Sequence, residues 1–333
     1  MRIAALRWIA TAVVAVSAGL IAGYMTGRPA AVPIVRTVHA SSRSSRLGRT
    51  TAPSTPAPTP SAPPTLATGT TTATVTLDVS GLSREYQVIR PVQPAADRIP
   101  ALVVLHGITA TIDYEEQRDG LLRVAAQGQA VLVYPAGYGR SWNAGVCCDP
   151  AMSNDVNDVG FIDRVIQQVA ADPEVDPARI SLVGFSNGGR MAYEVDCAQP
   201  GLVTSVIAIL AVPVTPCATS TPVSLLAIAT ADDPEVPYAA GTGPGMGLTA
   251  VTDVVAAWRG RDGCSDSTTT NSTAGQVVTA VWGDCRWGTQ VELATYASGG
   301  HNWQWGDSTT PSMGRLIWSF SVAALNLPDP LPQ

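Results

Sequence analysis

Gly184-Phe185-Ser186-Asn187-Gly188-Gly189 follows the apolar run Ile180-Ser181-Leu182-Val183 and precedes a helical pattern that begins near Arg190. A serine between glycines, on a sharp turn from strand to helix, has its hydroxyl lifted to an exposed apex. The small neighbours let the backbone bend and a second molecule approach. Ser186 is therefore a candidate nucleophile. The pattern is weak alone, because short glycine and serine motifs recur by chance, and its weight depends on the rest of the chain.

Working outward, continuous apolar runs at residues 101–105, 130–134, 179–185, 203–210 and 223–229 suit strands buried on both faces. Residues 74–79 and 84–90 read as a hairpin, and residues 276–282 and 290–296 as two further strands. Helical periodicity covers residues 114–127, 159–171 (with Asp158 as N-cap), 190–197, 248–260 and 311–325, the last capped by Ser308 or Thr310. Strands alternating with helices at this spacing imply an α/β fold, a mainly parallel central sheet flanked by helices on both faces.

A serine alcohol needs a base within hydrogen-bond reach, usually a histidine oriented by a carboxylate. The folded part offers two histidines. His106 ends an early strand, whereas His301 sits in the glycine-rich loop Ser298-Gly299-Gly300-His301-Asn302-Trp303 after the last strand. In the order serine, acid, histidine, His301 is the base, and His106 is expected to fix its own loop. The acid should lie on a loop between them. Thr230-Ala231-Asp232-Asp233-Pro234 offers two candidates that spacing cannot separate. Two N–H groups should face a developing oxyanion: those of Asn187, after the nucleophile, and of Ile108, after the early strand.

Composition narrows the partners. Seven of the 20 basic residues lie at or before Arg49, leaving thirteen arginines against 26 acidic residues in the remainder. That balance excludes nucleic acid, which needs a basic face. Three histidines make a metal site improbable, and no cofactor is implied. Residues 1–28 read as a signal peptide or an N-terminal anchor, since Arg2 and Arg7 precede the apolar stretch 8–25, a possible membrane tether. The rest is then expected to be extracellular, secreted or held on the outer face of the cytoplasmic membrane. Residues 29–74 are rich in Ser, Thr, Pro and Ala and read as a disordered linker, leaving 75–327 as the folded domain, expected to be monomeric. Six cysteines in an exported chain favour disulfides. Cys264 with Cys285 is the first expected pair, and Cys197 with Cys217 or with Cys147 or Cys148 the next. A vicinal Cys147–Cys148 bond is a further alternative. Trp142, Trp303 and Trp305 are expected near the rim of the site, with Trp142 and Trp303 as candidate substrate contacts.

Several stretches together carry a resemblance. Leu105-His106-Gly107-Ile108-Thr109, Trp142-Asn143-Ala144-Gly145 with Cys147-Cys148, Asn157 to Ile162, the Ser186 turn, Asp233-Pro234-Glu235-Val236-Pro237-Tyr238, Trp258 to Cys264 and Gly299-Gly300-His301-Asn302-Trp303 look, in that order, like the polyhydroxybutyrate depolymerase and feruloyl esterase family of secreted serine esterases. The resemblance runs from about Val75 to Leu325. It implies an α/β-hydrolase fold and an extracellular carboxylic ester hydrolase, acting on a polyester oligomer or a plant cell-wall ester, with a Ser, Asp, His triad. Aligning the Asp-Pro and Val-Pro-Tyr elements selects Asp233 as the acid. The chain departs from the family at Ala229-Thr230-Ala231, where His-Gly-Thr is frequent, and at Trp303-Gln304-Trp305-Gly306, where Trp-Pro-Gly is frequent. A peptidase, an acyltransferase or a non-catalytic binding protein on the same fold are the competing readings.

Overall fold

The first two strands described form an antiparallel ribbon: β1 (Thr70–Val79) pairs with β2 (Leu82–Pro91) along its whole length. The computed structural model describes residues 69–324 except 216, 218–220, 242–247, 266–268, 274–275 and 308. The apolar stretch 8–25, nearly all of the linker assigned to 29–74, and the Ser308 cap lie outside the described residues. β1 begins before the expected strand start at Thr74, because Thr70 to Ala73 pair in register with Pro91 to Val88. Threonine suits a pleated, half-exposed surface, so composition alone does not mark these four positions as strand.

The remaining strands are β3 (Ile99–Leu105), β4 (Val131–Pro135), β5 (Val175–Phe185), β6 (Ser205–Ile209), β7 (Ser224–Thr230), β8 (Thr269–Thr273), β9 (Val277–Trp282) and β10 (Val291–Tyr296). They form one sheet in the order β1-β2-β4-β3-β5-β6-β7-β10-β9-β8. The central run from β4 to β10 is parallel, and antiparallel pairs close both edges. β3, β4, β6 and β7 are buried at every residue, as strands covered on two faces must be. Alternate residues feed two cores: Ala101, Val103 and Leu105 face one, Leu102 and Val104 the other.

The helices are α1 (Ile112–Asp119), α2 (Leu122–Ala126), α3 (Asp158–Ala170), α4 (Asn187–Ala198), α5 (Val251–Asp262) and α6 (Met313–Ala324). The single helix expected over 114–127 is two, because Gly120 turns left-handed at φ 71° and the buried Asp119 carboxylate accepts the Leu121 N–H at 2.8 Å. Asp158 does not cap α3. Asn157 does, accepting the Gly160 N–H at 2.9 Å, while Asp158 is buried against Arg84 at 2.7 Å and accepts the Asn143 N–H at 2.8 Å. Nor does Thr310 cap α6, since the Arg315 N–H goes to Ser312 Oγ at 3.1 Å. β8 escapes sequence reading because it is a polar edge strand with no apolar alternation.

Disulfides join Cys197 to Cys217, Cys264 to Cys285, and the neighbours Cys147 and Cys148. The first expected pair is present, and Cys197 takes Cys217 rather than either member of the vicinal pair.

Burial of Glu292 on β10 pushes its carboxyl up to about 7. Between its ordinary value of 4.5 and about 7 the folded chain holds a proton that the unfolded chain has released. Stability therefore falls as pH rises through that window and stays reduced above it. Glu292→Gln should raise the melting temperature at pH 8 and leave it unchanged at pH 4, measured by calorimetry at both values.

Candidate active site

Loops at the carboxyl ends of β3, β5, β7 and β10 converge on one point. At the end of β5 the backbone reaches φ 53°, ψ −117° at Ser186, a conformation an L-residue keeps only when its surroundings enforce it. The Ser186 N–H donates to the Ile209 carbonyl at 2.8 Å, and its own carbonyl accepts the Arg190 N–H at 3.0 Å. Two glycines make the turn possible. A Cβ on Gly184 would lie 2.2 Å from the Gly188 carbonyl oxygen, and one on Gly188 would lie 2.3 Å from that of Leu105.

His301 reaches this serine. Its Nε2 is 2.8 Å from Ser186 Oγ, and its Nδ1 is 2.8 Å from Asp233 Oδ2. A carboxylate at Nδ1 requires N–H there, which leaves Nε2 free to accept the serine proton. The other Asp233 oxygen accepts the N–H groups of Glu235 at 2.8 Å and Val236 at 3.0 Å, so the buried carboxylate is held at both ends. Asp232 has a different task. It accepts the Gly300 N–H at 2.8 Å and the Gly299 N–H at 3.2 Å, and these donors hold its carboxyl below the usual range. Of the two adjacent aspartates, one orients the imidazole and the other ties down the turn that carries it. Thr230 adds a bond from its hydroxyl to the Gly300 carbonyl at 2.6 Å.

His106 does not join them. Buried beneath the β3 loop, it donates from Nδ1 to the Gly107 carbonyl at 2.8 Å and accepts the Gly137 N–H at Nε2 at 2.9 Å. Those partners require the neutral ring, and burial accordingly lowers its pKa. Its own carbonyl accepts Trp142 Nε1–H at 2.8 Å. The Trp142 main chain exchanges two bonds with the Asn187 side chain, at 2.8 Å and 3.0 Å. The loops bearing Ile108 and Asn187 are thereby fastened to one tryptophan, the first through its indole and the second through its main chain. Among the described residues, neither the Ile108 nor the Asn187 N–H donates to a protein acceptor.

Ser186 opens on a cleft of about 650 Å³ whose walls include Tyr114, Arg140, Trp303 and Trp305. On its other side lies a smaller cavity of about 270 Å³, walled by Arg190, Pro234 and the Cys147–Cys148 pair. Ile108 and Glu235 border both. Trp305, 64% exposed, stands at the rim as expected. Trp303 lines the cleft but is largely buried against Phe185, ring centroids 5.9 Å apart. Trp142 is a correction: it is completely buried and lines neither cavity, because its N–H and ring are used to brace the His106 loop. Arg190 and Glu235 drew no notice in the sequence, since a charged residue at a helix start or in a loop reads as solvated.

No family model matches the chain. Feruloyl esterase B of Piromyces equi is 25% identical over 244 residues, covering 69% of this chain and 42% of that protein. Feruloyl esterase C of Emericella nidulans is 31% identical over 121 residues, 36% of this chain and 42% of that protein. An acetyl xylan esterase structure from Aspergillus awamori superposes with a TM-score of 0.51 at 15% identity, covering 72% of this chain and 93% of that one. The chain has an α/β-hydrolase fold and is similar to feruloyl esterases. It spans about two-fifths of the length of the curated relatives it matches, and at 15% identity the superposition speaks to fold alone. None of these relatives is a polyhydroxybutyrate depolymerase, so that side of the resemblance is unsupported.

Trp142→Phe keeps an aromatic ring but removes the donor to the His106 carbonyl. A hydrogen bond of about 1 kcal/mol net in a domain of this size corresponds to about 2–4 °C. The unfolding midpoint of the α/β-hydrolase should fall by at least that much in a thermal melt.

Proposed function

We propose that this α/β-hydrolase is an exported serine-dependent carboxylic ester hydrolase, of feruloyl or acetyl esterase type, that works through an acyl-enzyme. The observation that carries the reading is the unbroken hydrogen-bond chain from Ser186 through His301 to Asp233, opening on a cleft with aromatic walls. Ser186 Oγ attacks the ester carbonyl carbon as His301 Nε2 takes its proton. Asp233 keeps the ring in the required tautomer and stabilises the imidazolium. The N–H groups of Ile108 and Asn187 receive the oxyanion. His301 then protonates the departing alcohol, and water, activated by the same nitrogen, releases the acid. The aromatic walls and the feruloyl esterase relatives favour an aromatic acyl group in the larger cleft. Export is supported by the cysteines, all six of which are in disulfides, a state that oxidising compartments sustain.

Ser186→Ala should abolish both turnover of a short p-nitrophenyl ester and labelling by a fluorophosphonate; turnover near that of the parent would sink the assignment. Asp233→Asn should lower kcat by about 10³–10⁴-fold, through the wrong imidazole tautomer. Asp232→Asn retains one acceptor for the Gly299–Gly300 turn, and its loss should stay below about tenfold. The reverse ranking would exchange the two roles. Feruloyl, acetyl-xylan and 3-hydroxybutyrate oligomer esters, assayed side by side, identify the acyl preference.

A further inference from the structure

Helix α1 buries three charged side chains, Glu115, Arg118 and Asp119, and two of them pair with each other. Glu115 is 1% exposed and Arg118 7%, and the two form an ion pair one helical turn apart. Replacing such a pair with apolar residues is often neutral or stabilising, so stability is a poor reason for its presence. What the pair touches supplies a better one. The Arg118 guanidinium lies 3.9 Å from the centre of the Phe185 ring, 5.1 Å from Trp303 and 5.2 Å from Tyr114. Phe185 immediately precedes Ser186. Trp303 follows His301 by two residues, and Phe185 itself packs on the His301 ring at 5.6 Å between centroids.

We propose that Glu115 and Arg118 are positioning residues for the catalytic centre, the ion pair fixing the nucleophile turn through Phe185 and the histidine loop through Trp303. The inference rests on the esterase reading of the site. These two loops leave β5 and β10, which are far apart in sequence, and no other charged group lies over both Phe185 and Trp303 among the described residues. Arg118 Nε, though buried, has no hydrogen-bond partner among them. The guanidinium is therefore placed by the rings around it and by Glu115, rather than by maximal hydrogen bonding. A planar cation held between rings fixes their relative position in a way that an aliphatic side chain does not.

The test uses the full chain and the double variant Glu115→Leu/Arg118→Met, which removes both charges together and so leaves no unpaired ion to unfold the protein. With its melting temperature near that of the parent, kcat for a short p-nitrophenyl ester should fall about 10–100-fold, the scale of a small misplacement of reacting groups, with KM within about threefold. Fluorophosphonate labelling of Ser186 should slow in parallel. Hydrogen exchange of peptides covering 184–188 and 299–303, followed by mass spectrometry, should quicken in the same variant. Unchanged exchange in both peptides, or kcat within twofold of the parent, overturns the proposal. If the parent itself neither turns over esters nor takes the label, the esterase reading fails, and the exchange measurement alone still decides whether the pair holds the loops.

Discussion

The backbone at Ser186 adopts a conformation that no isolated chain would keep, and the architecture around it exists to hold it there. Strain at such a turn persists only when neighbours over-determine it. Here the neighbours are an N–H to the next strand, a helix that starts on the serine's own carbonyl, and two glycines that let Gly188 and Leu105 backbone come close. Because β5 sits in the middle of six parallel strands, the turn is anchored in the most buried part of the sheet. The loops that complete the site come from strands on either side of it.

The consequence is a site built from braces as much as from reacting groups. His106 and Trp142 fasten the early loop, Asp232 and Thr230 fasten the histidine turn, and Asp158 with Arg84 holds Asn143 in the loop between. Each does so with buried or backbone-directed hydrogen bonds, the kind whose loss leaves a partner unsatisfied. The reacting residues are thus held from several sides, which suits stabilisation of charge by fixed dipoles.

Much of this was legible in the sequence, and the failures have a common cause. Continuous apolar runs located β3 to β7, and chain order singled out His301. Adjacent Asp232 and Asp233 could not be told apart by spacing, because a one-residue difference decides which carboxylate meets the ring and which meets the turn. Trp142 was expected at the rim, since sequence shows an indole's size but not whether its N–H finds a partner inside. Glu115 and Arg118 were invisible for the opposite reason: charges on a short helix read as its wet face. β8 and the first half of β1 lack apolar alternation, and only their pairing partners make them strands.

The three disulfides differ in what they do to the unfolded chain. Cys197–Cys217 and Cys264–Cys285 span separations of 20 and 21 residues, loops whose closure removes about 3 kcal/mol of chain entropy each. Both lie in the half that supplies the acid and histidine loops. Cys147–Cys148 joins neighbours in sequence and encloses no loop, so it withdraws almost no freedom from the denatured ensemble. A reductant therefore acts on this protein in two separable ways: through two bonds it lowers the melting temperature, and through the third it alters the wall of the smaller cavity beside Ser186 while global stability stays put.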